Sequence, residues 1–258
     1  MKKLEGKVAL VTGADSGIGR AIAIAFAEEG ADVIICYHSD EEGARATAAA
    51  VEGHSRSGLV APVDVRDERS VGSLFSAGLE RFGTIDILVN NAGVSGGDAG
   101  VADMSAEQFD RTIRANLYGP FYLCGHFVRH RRSSGGKGKI INISSVHEEI
   151  MMPGYADYNA SKAGLRNLMR TLALEVAEEG INVNNICPGM ILTPMNQAAL
   201  DDPGLRDRMA QNIPMKRPGM PEEIARLAVF LASPDSDYVT GSSYFMDGGL
   251  SLNVGQGA

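Results

Sequence analysis

The chain reads as α/β: one doubly wound domain with a mainly parallel sheet flanked by helices on both faces. Three observations predict it. Short apolar runs alternate with longer stretches of helical periodicity, and that alternation implies parallel strands joined by right-handed crossovers. The runs are apolar throughout instead of at every second residue, so the sheet is covered on both faces. No proline- or serine-rich linker and no internal repeat divides the 258 residues, so residues 1–258 are read as a single domain.

The elements follow in order. "KVALVTG" (7–13) is the first strand, and helical periodicity runs from Ile18 to Glu29 and stops at Gly30. "DVIICYH" (32–38) is the second strand, after which Ser39 offers an N-cap for a helix through Val51. "LVAPVDV" (59–65), "DILVNNAG" (86–93), "KIINISS" (139–145) and "INVNNICPG" (181–189) continue the series, and "SSYFMDGG" (242–249) closes it. The longest helices lie near 105–131 and 156–179. Segment 194–220 carries four prolines and four methionines and breaks the alternation. An insertion after a strand's carboxyl end is where a substrate lid is expected.

Composition narrows the function. With 44% hydrophobic and 22% charged residues the chain has the balance of a globular protein with a sizeable core. A net charge of −8 argues against nucleic acid as partner. The one basic cluster, Val128 to Lys139, reads as a helix end whose cations complement the dipole, followed by a glycine-rich turn. Cys36, Cys124 and Cys187 are odd in number, lack metal-like spacing and sit in apolar surroundings, so buried free thiols and a reducing compartment are expected. No secretory segment opens the chain and no apolar run reaches membrane-spanning length. The expectation is a cytoplasmic protein with a small-molecule substrate, no metal and no membrane partner.

"TGADSGIGR" stands between the first strand and the first helix, with Gly13, Gly17 and Gly19 in the spacing GxxxGxG. A pyrophosphate needs a tight turn, close backbone approach and a helix N-terminus aimed at it. A plain glycine-rich turn is the structural alternative. The placement favours a Rossmann-type dinucleotide site, whose cofactor is selected at the tip of the second strand. That tip is Tyr37-His38-Ser39, with no acid before Asp40. Nothing there repels a 2′-phosphate, and His38 and Ser39 can contact one. No arginine stands beside them. The expectation is use of both NAD and NADP, with NADP slightly favoured.

Tyr158 and Lys162 share a helix face at i, i+4. A free tyrosine titrates near pH 10, and a nearby cation favours the phenolate; lowering the titration by one pH unit takes about 1.4 kcal/mol. Ser145 ends the fifth strand, where open α/β sheets place ligands, and its hydroxyl can donate to an alkoxide-like oxygen. Asn116 sits mid-helix, where asparagine is mildly unfavourable. Each has a plainer alternative: a surface helix pair, a turn serine, a packing amide.

In order, the chain holds "TGADSGIG" (12–19), "VDV" (63–65), "NNAG" (90–93), Asn116 in "RANLYGP", Ser145 in "NISSVH", "YNASK" (158–162) and "PGMILT" (188–193). Together these resemble the short-chain dehydrogenase/reductase family, from Gly6 to about Gly249. The resemblance implies that Gly13, Ser16, Gly17, Ile18 and Gly19 cradle the pyrophosphate. Asp64 and Val65 would bind adenine, and Asn91, Ala92 and Gly93 would lie beside the adenosine ribose. Tyr158 would be the general acid/base, Ser145 would hold the reacting oxygen, Lys162 would bind the nicotinamide ribose, and Asn116 would complete a proton relay. Within the strand-six motif from Pro188 and Gly189, Ile191 and Thr193 would fix the carboxamide. A homotetramer is implied, paired through the long helices bearing Leu165, Leu168, Leu172 and Val176.

The substrate is less legible. "SSVHE" and three further stretches resemble glucose 1-dehydrogenases, and His147 and Glu148 suit a polyol whose buried hydroxyls each need a partner. Both could instead cap the turn. Met151, Met152, Met190 and Met195 could wall an apolar pocket for a ketone, steroid or acyl chain, or simply fill the core. The leading expectation is oxidation of an aldose or polyol. Reduction of 3-oxoacyl thioesters or other ketones is the runner-up, and a dinucleotide-binding sensor or scaffold is the alternative of another class.

Overall fold

The strands of the computed structural model are β1 (Val8–Val11), β2 (Asp32–Tyr37), β3 (Gly58–Pro62), β4 (Ile87–Asn90), β5 (Gly138–Ile143), β6 (Ile181–Pro188) and β7 (Ser243–Met246). The structure describes residues 2–253; most of the tail "NVGQGA", whose reach to a neighbouring subunit is an expectation from sequence, lies outside them. All the strands pair in parallel, in the order β3-β2-β1-β4-β5-β6-β7. The chain winds outward from β1 to β3, then returns beside β1 as β4. That reversal opens a crevice at the carboxyl ends of β1 and β4, which is where such sheets bind ligands.

Nine helices are described: α1 (Gly17–Glu28), α2 (Glu41–Gly53), α3 (Glu68–Phe82), α4 (Ala106–Ile113), α5 (Gly119–Ser134), α6 (Ala156–Val176), α7 (Gln197–Asp201), α8 (Pro203–Ala210) and α9 (Pro221–Ala232). They explain why the strands do not alternate. Ala9, Val11, Val33 and Ile35 pack against Ile22 and Phe26 of α1 and Ile224 and Leu231 of α9. Their neighbours Val8, Leu10, Ile34 and Cys36 face the other way, onto Leu74 and Phe75 of α3, Phe127 of α5 and Met169 of α6. With apolar cover on both sides, every strand position is driven from water. The three cysteines are free and buried.

Several boundaries differ from the sequence reading. Strands end two or three residues early at β1, β3, β4, β5 and β7; at the first four those residues leave the ladder to form the crevice wall. The cap of α2 is Asp40, not Ser39: the Asp40 carboxylate accepts from Gly43 N at 2.8 Å, while Ser39 is exposed. The long helix 105–131 is α4 and α5 joined by a π-helical turn, Arg114–Tyr118. Leu165 and Val176 pack inside their own chain, at 2% and 1% exposure, so they are core and not a pairing face. Leu172 packs on the same core.

Segment 194–220 forms a 3-10 turn and the short helices α7 and α8. Its two ends are stapled, with Leu192 N donating to Gly219 O at 3.0 Å and Gly219 N to Met190 O at 2.9 Å.

Gly19 lies where α1 crosses the glycine loop. A methyl group there would fall against the Gly13 carbonyl oxygen and the Asn91 amide. Alanine gains about 1 kcal/mol of helix propensity over glycine, but the obstructing atom is backbone and cannot move aside. Gly19→Ala is expected to lose about 2 kcal/mol net in denaturant unfolding and to weaken dinucleotide binding by about tenfold or more in a fluorescence titration.

Candidate active site

Side chains at the end of β4 lock the glycine loop. Thr12 Oγ1 accepts from the Asn91 and Ala92 amides at 2.9 and 3.0 Å. The Asn91 side chain donates to the Thr12 and Gly13 carbonyls at 2.8 and 3.0 Å. Gly13 and Gly17 stand at φ of +60° and +53°, where a side chain is strained. Ser16 caps α1, which has no acid in its first turn, so the positive end of its dipole is left for an anion.

The loop forms one end of a cleft of about 700 Å³. The site residues read from the sequence line it, except Gly19, Ser39, Asn116 and His147. Gly19 lies beneath the loop, and Ser39 points to solvent beyond the strand tip. Asn116 sits behind the wall: its amide accepts from Val94 N at 2.8 Å, donates to Val94 O at 3.0 Å and reaches Ser161 Oγ at 3.2 Å. Its side chain is thereby committed to clamping the segment that leaves β4 at Val94.

Sequence reasoning missed Asp15, Arg66, Arg111, Ser95 and Asn196, which also line the cleft. Arg66 forks onto Asp64, Nε to Oδ1 at 2.8 Å and Nη2 to Oδ2 at 2.7 Å. That pairing holds the Asp64 carboxyl down at about 2. The expected adenine acceptor is thus already engaged, and an arginine plane stands in the wall beside it. The spacing in "VDVRD" was the available signal. Asp15 brings an acid to the loop end of the cleft.

The other end holds the reactive groups. Tyr158 and Lys162 lie on the first turns of α6, and Ser145 leaves β5 at the same height. Ser145 and Tyr158 both line the cleft here, and the Ser145 hydroxyl acts on the phenol in the direction that favours its ionised form. Lys162 Nζ donates to the Ile143 carbonyl at 3.0 Å and stands 5.6 Å from the Tyr158 ring centre. The expected acidification of the phenol is absent in the free protein. Burial raises Tyr158 above its ordinary value, and the Ser145 hydroxyl only partly offsets it. Lys162 is buried too, and burial pulls it down to about 8 against the opposing influence of Cys187 and Glu148. Both groups are desolvated, so near neutral pH the pair is a neutral phenol beside an ammonium.

His147 meets the Tyr158 ring edge-on, with centres 5.9 Å apart. Its Nδ1 pairs with the Ile150 carbonyl at 2.9 Å. A carbonyl only accepts, so Nδ1 carries the proton and Nε2 of the neutral ring is an acceptor. Glu148 departs from the sequence reading. It is 3% exposed and turned inward onto Ser144 and Asn185, away from any substrate.

Comparison with known proteins decides the family. The family model described as enoyl-(acyl carrier protein) reductase matches residues 13–251. A 3beta-hydroxysteroid dehydrogenase 1 of Eggerthella lenta is 44% identical over 98% of this chain and 96% of its own length. Glucose 1-dehydrogenase 2 of Bacillus subtilis is 40% identical over 99% and 98%. The chain belongs to the short-chain dehydrogenase/reductase family. A structure described as a putative 2-deoxy-D-gluconate 3-dehydrogenase from Agrobacterium tumefaciens, with bound NADP, superposes at a TM-score of 0.87 with 34% identity, covering 97% and 98% of the two chains. Like its relatives, this short-chain oxidoreductase transfers hydride between a nicotinamide cofactor and an alcohol or carbonyl carbon. No described helix is long and apolar enough to cross a membrane.

The glycine cradle fits a dinucleotide, since side chains at its tightest points would collide with backbone. When bound, the nicotinamide supplies or takes up the hydride.

Lys162 is lowered from the usual 10.5 to about 8, so its buried ammonium costs stability at neutral pH. That cost is relieved between about pH 8 and 10.5, where the unfolded chain holds the proton longer than the folded one. Lys162→Met is expected to melt no lower than wild type at pH 7, with any advantage shrinking above pH 8, while turnover falls about 100-fold or more.

Proposed function

We propose that the chain oxidises an aldose or related polyol at a secondary or anomeric hydroxyl, using NAD or NADP. The carrying observation is that Tyr158, Ser145 and buried Lys162 share one cleft with the glycine loop. In this reading the substrate hydroxyl gives its proton to the Tyr158 phenolate, formed once the oxidised nicotinamide is bound, and Ser145 Oγ donates to the same substrate oxygen. Lys162 supplies the positive charge that makes the phenol acceptable as a base. Ser95 and Asn196 in the cleft wall, and His147 beside Tyr158, offer polar partners to further hydroxyls. The relatedness to glucose 1-dehydrogenase 2 supports the sugar reading.

A second reading, a bulky apolar alcohol or ketone, is favoured by the methionines. Met151 and Met195 are 61% and 57% exposed, and Met195 lines the cleft. The 44% identical relative is a hydroxysteroid dehydrogenase. Segment 194–220, stapled at its ends and lining the cleft with Pro194, Met195 and Asn196, is read as the substrate lid.

For the cofactor, dual use with a lean to NADP rests on His38 at the cleft and on neutralisation of Asp64 by Arg66. Asp15 works against a 2′-phosphate and limits the lean. A preference of several-hundred-fold for NAD at fixed substrate would contradict it. The exposed Tyr118 of the π-helical turn and Phe121 of α5 support the homotetramer, and the buried free thiols support a cytoplasmic location.

Steady-state assays across aldoses, polyols, 3β-hydroxysteroids and 3-oxoacyl thioesters are expected to give the highest kcat/KM with an aldose or polyol. Rates at background with every sugar would end that reading. Tyr158→Phe is expected to cut turnover about 1,000-fold or more with dinucleotide affinity within about threefold of wild type. Equal activity in wild type and variant would contradict the mechanism.

A further inference from the structure

A carboxylate that the reaction scheme leaves unused lies beneath the turn following Ser145. Glu148 closes the 3-10 turn Val146–Glu148, and its side chain is wholly buried. Oε2 accepts from Ser144 Oγ at 2.6 Å and from Asn185 Nδ2 at 3.1 Å. Oε1 has no hydrogen-bond partner and faces Arg166 Nε at 3.5 Å. A buried charge costs several kcal/mol unless its surroundings are organised for it, and here they are. Asn90, Asn142 and Asn185 are register neighbours across β4, β5 and β6. Asn90 Nδ2 donates to Asn142 Oδ1 at 2.7 Å, and Asn142 Nδ2 to Asn185 Oδ1 at 2.9 Å. The three amides point their N–H ends the same way, and the row terminates on Glu148. Aligned dipoles of this kind favour a negative charge at their end. None of these asparagines lines the cleft.

We propose that Glu148 is a positioning residue for the reacting pair: its buried charge is the counter-charge of Lys162, and its carboxylate ties the turn bearing Ser145 to α6, which bears Tyr158. This deepens the reading of Tyr158 and Lys162 and holds for any substrate. Ser144 at the end of β5, Asn185 of β6 and Arg166 of α6 contact Glu148; Cys187 of β6 lies against it, and Lys162, one turn before Arg166 on α6, feels its charge from farther off. Glu149 holds the far side of Arg166 at 2.5 Å, and Ser243 of β7 lies against Cys187. Cys187 and Glu148 both oppose the downward pull of burial on Lys162. Burial pushes Cys187 itself far up, so near neutral pH it is an uncharged thiol and the opposing charge is that of Glu148. The same carboxylate therefore keeps the lysine cationic and the serine in reach of the phenol.

The test reads Lys162 directly, without turnover, so its failure is separable from a wrong substrate or mechanism. Lysines labelled at Cε are titrated by NMR, and the Lys162 signal is assigned by its loss in Lys162→Met. In wild type the midpoint is expected at about 8. Glu148→Gln keeps the size and an acceptor for Ser144 but removes the charge, and should lower the midpoint by about one pH unit or more. The alkaline limb of kcat/KM should move down with it, while NADPH affinity at pH 6.5 stays within about threefold. Arg166→Met removes the competing cation and should raise the midpoint by about half a pH unit. Arg166 is partly exposed, so this variant carries the test if Glu148→Gln fails to fold. A lysine midpoint that does not fall in Glu148→Gln, or does not rise in Arg166→Met, overturns the assignment.

Discussion

A cation with almost no water around it organises this protein. Lys162 is 6% exposed, its ammonium rests on the Ile143 carbonyl, and it lies beneath a buried phenol. Desolvation works against every charged form at this spot. The surrounding fold has to supply what water would otherwise provide. Ser145 comes from the end of β5, Tyr158 and Lys162 from the opening turns of α6, and the Glu148 carboxylate from the turn between them. The cost is of the kind that active sites carry, and the two apolar layers on the sheet are large enough to offset it.

The cofactor end is built on a different principle. There the work is done by backbone, and side chains serve to hold it in shape. Thr12 and Asn91 tie the glycine loop to the end of β4, and Asn116 ties the next residues of that strand extension through Val94. The π-helical turn that interrupts the long helix holds Asn116, and such turns often mark functional positions. One end of the cleft is thus a backbone cradle and the other is desolvated chemistry.

The fold was legible because its signal is periodic. Continuous apolar strands and intervening helices follow from burial on both faces, and the alternation of Val8 and Leu10 against Ala9 and Val11 shows that burial directly. The glycine loop, Ser145, Tyr158 and Lys162 were legible because their chemistry needs fixed spacings. What was not legible depends on contacts across the chain. Asp64 reads as a free acceptor until Arg66 is seen to fork onto it. Glu148 reads as a substrate contact, since nothing in "SSVHE" says that its side chain turns inward to meet an asparagine row from three strands. The phenol's acidity was misjudged for the same reason: sequence spacing gives the lysine's proximity but not the burial of both partners. Strand ends were overrun because Thr12, Asn91 and Ser144 continue the extended run in sequence, and only the pairing of neighbouring strands shows where a ladder stops.

The central claim is that the desolvated phenol becomes a usable base only when the nicotinamide site is filled and Lys162 is charged beneath it. Ultraviolet difference titration of wild type against Tyr158→Phe measures that phenol directly, with and without the oxidised dinucleotide. The account predicts a Tyr158 titration above the ordinary tyrosine value in the free protein, falling below it when the dinucleotide binds. A phenol that titrates at the same pH in both states would contradict it.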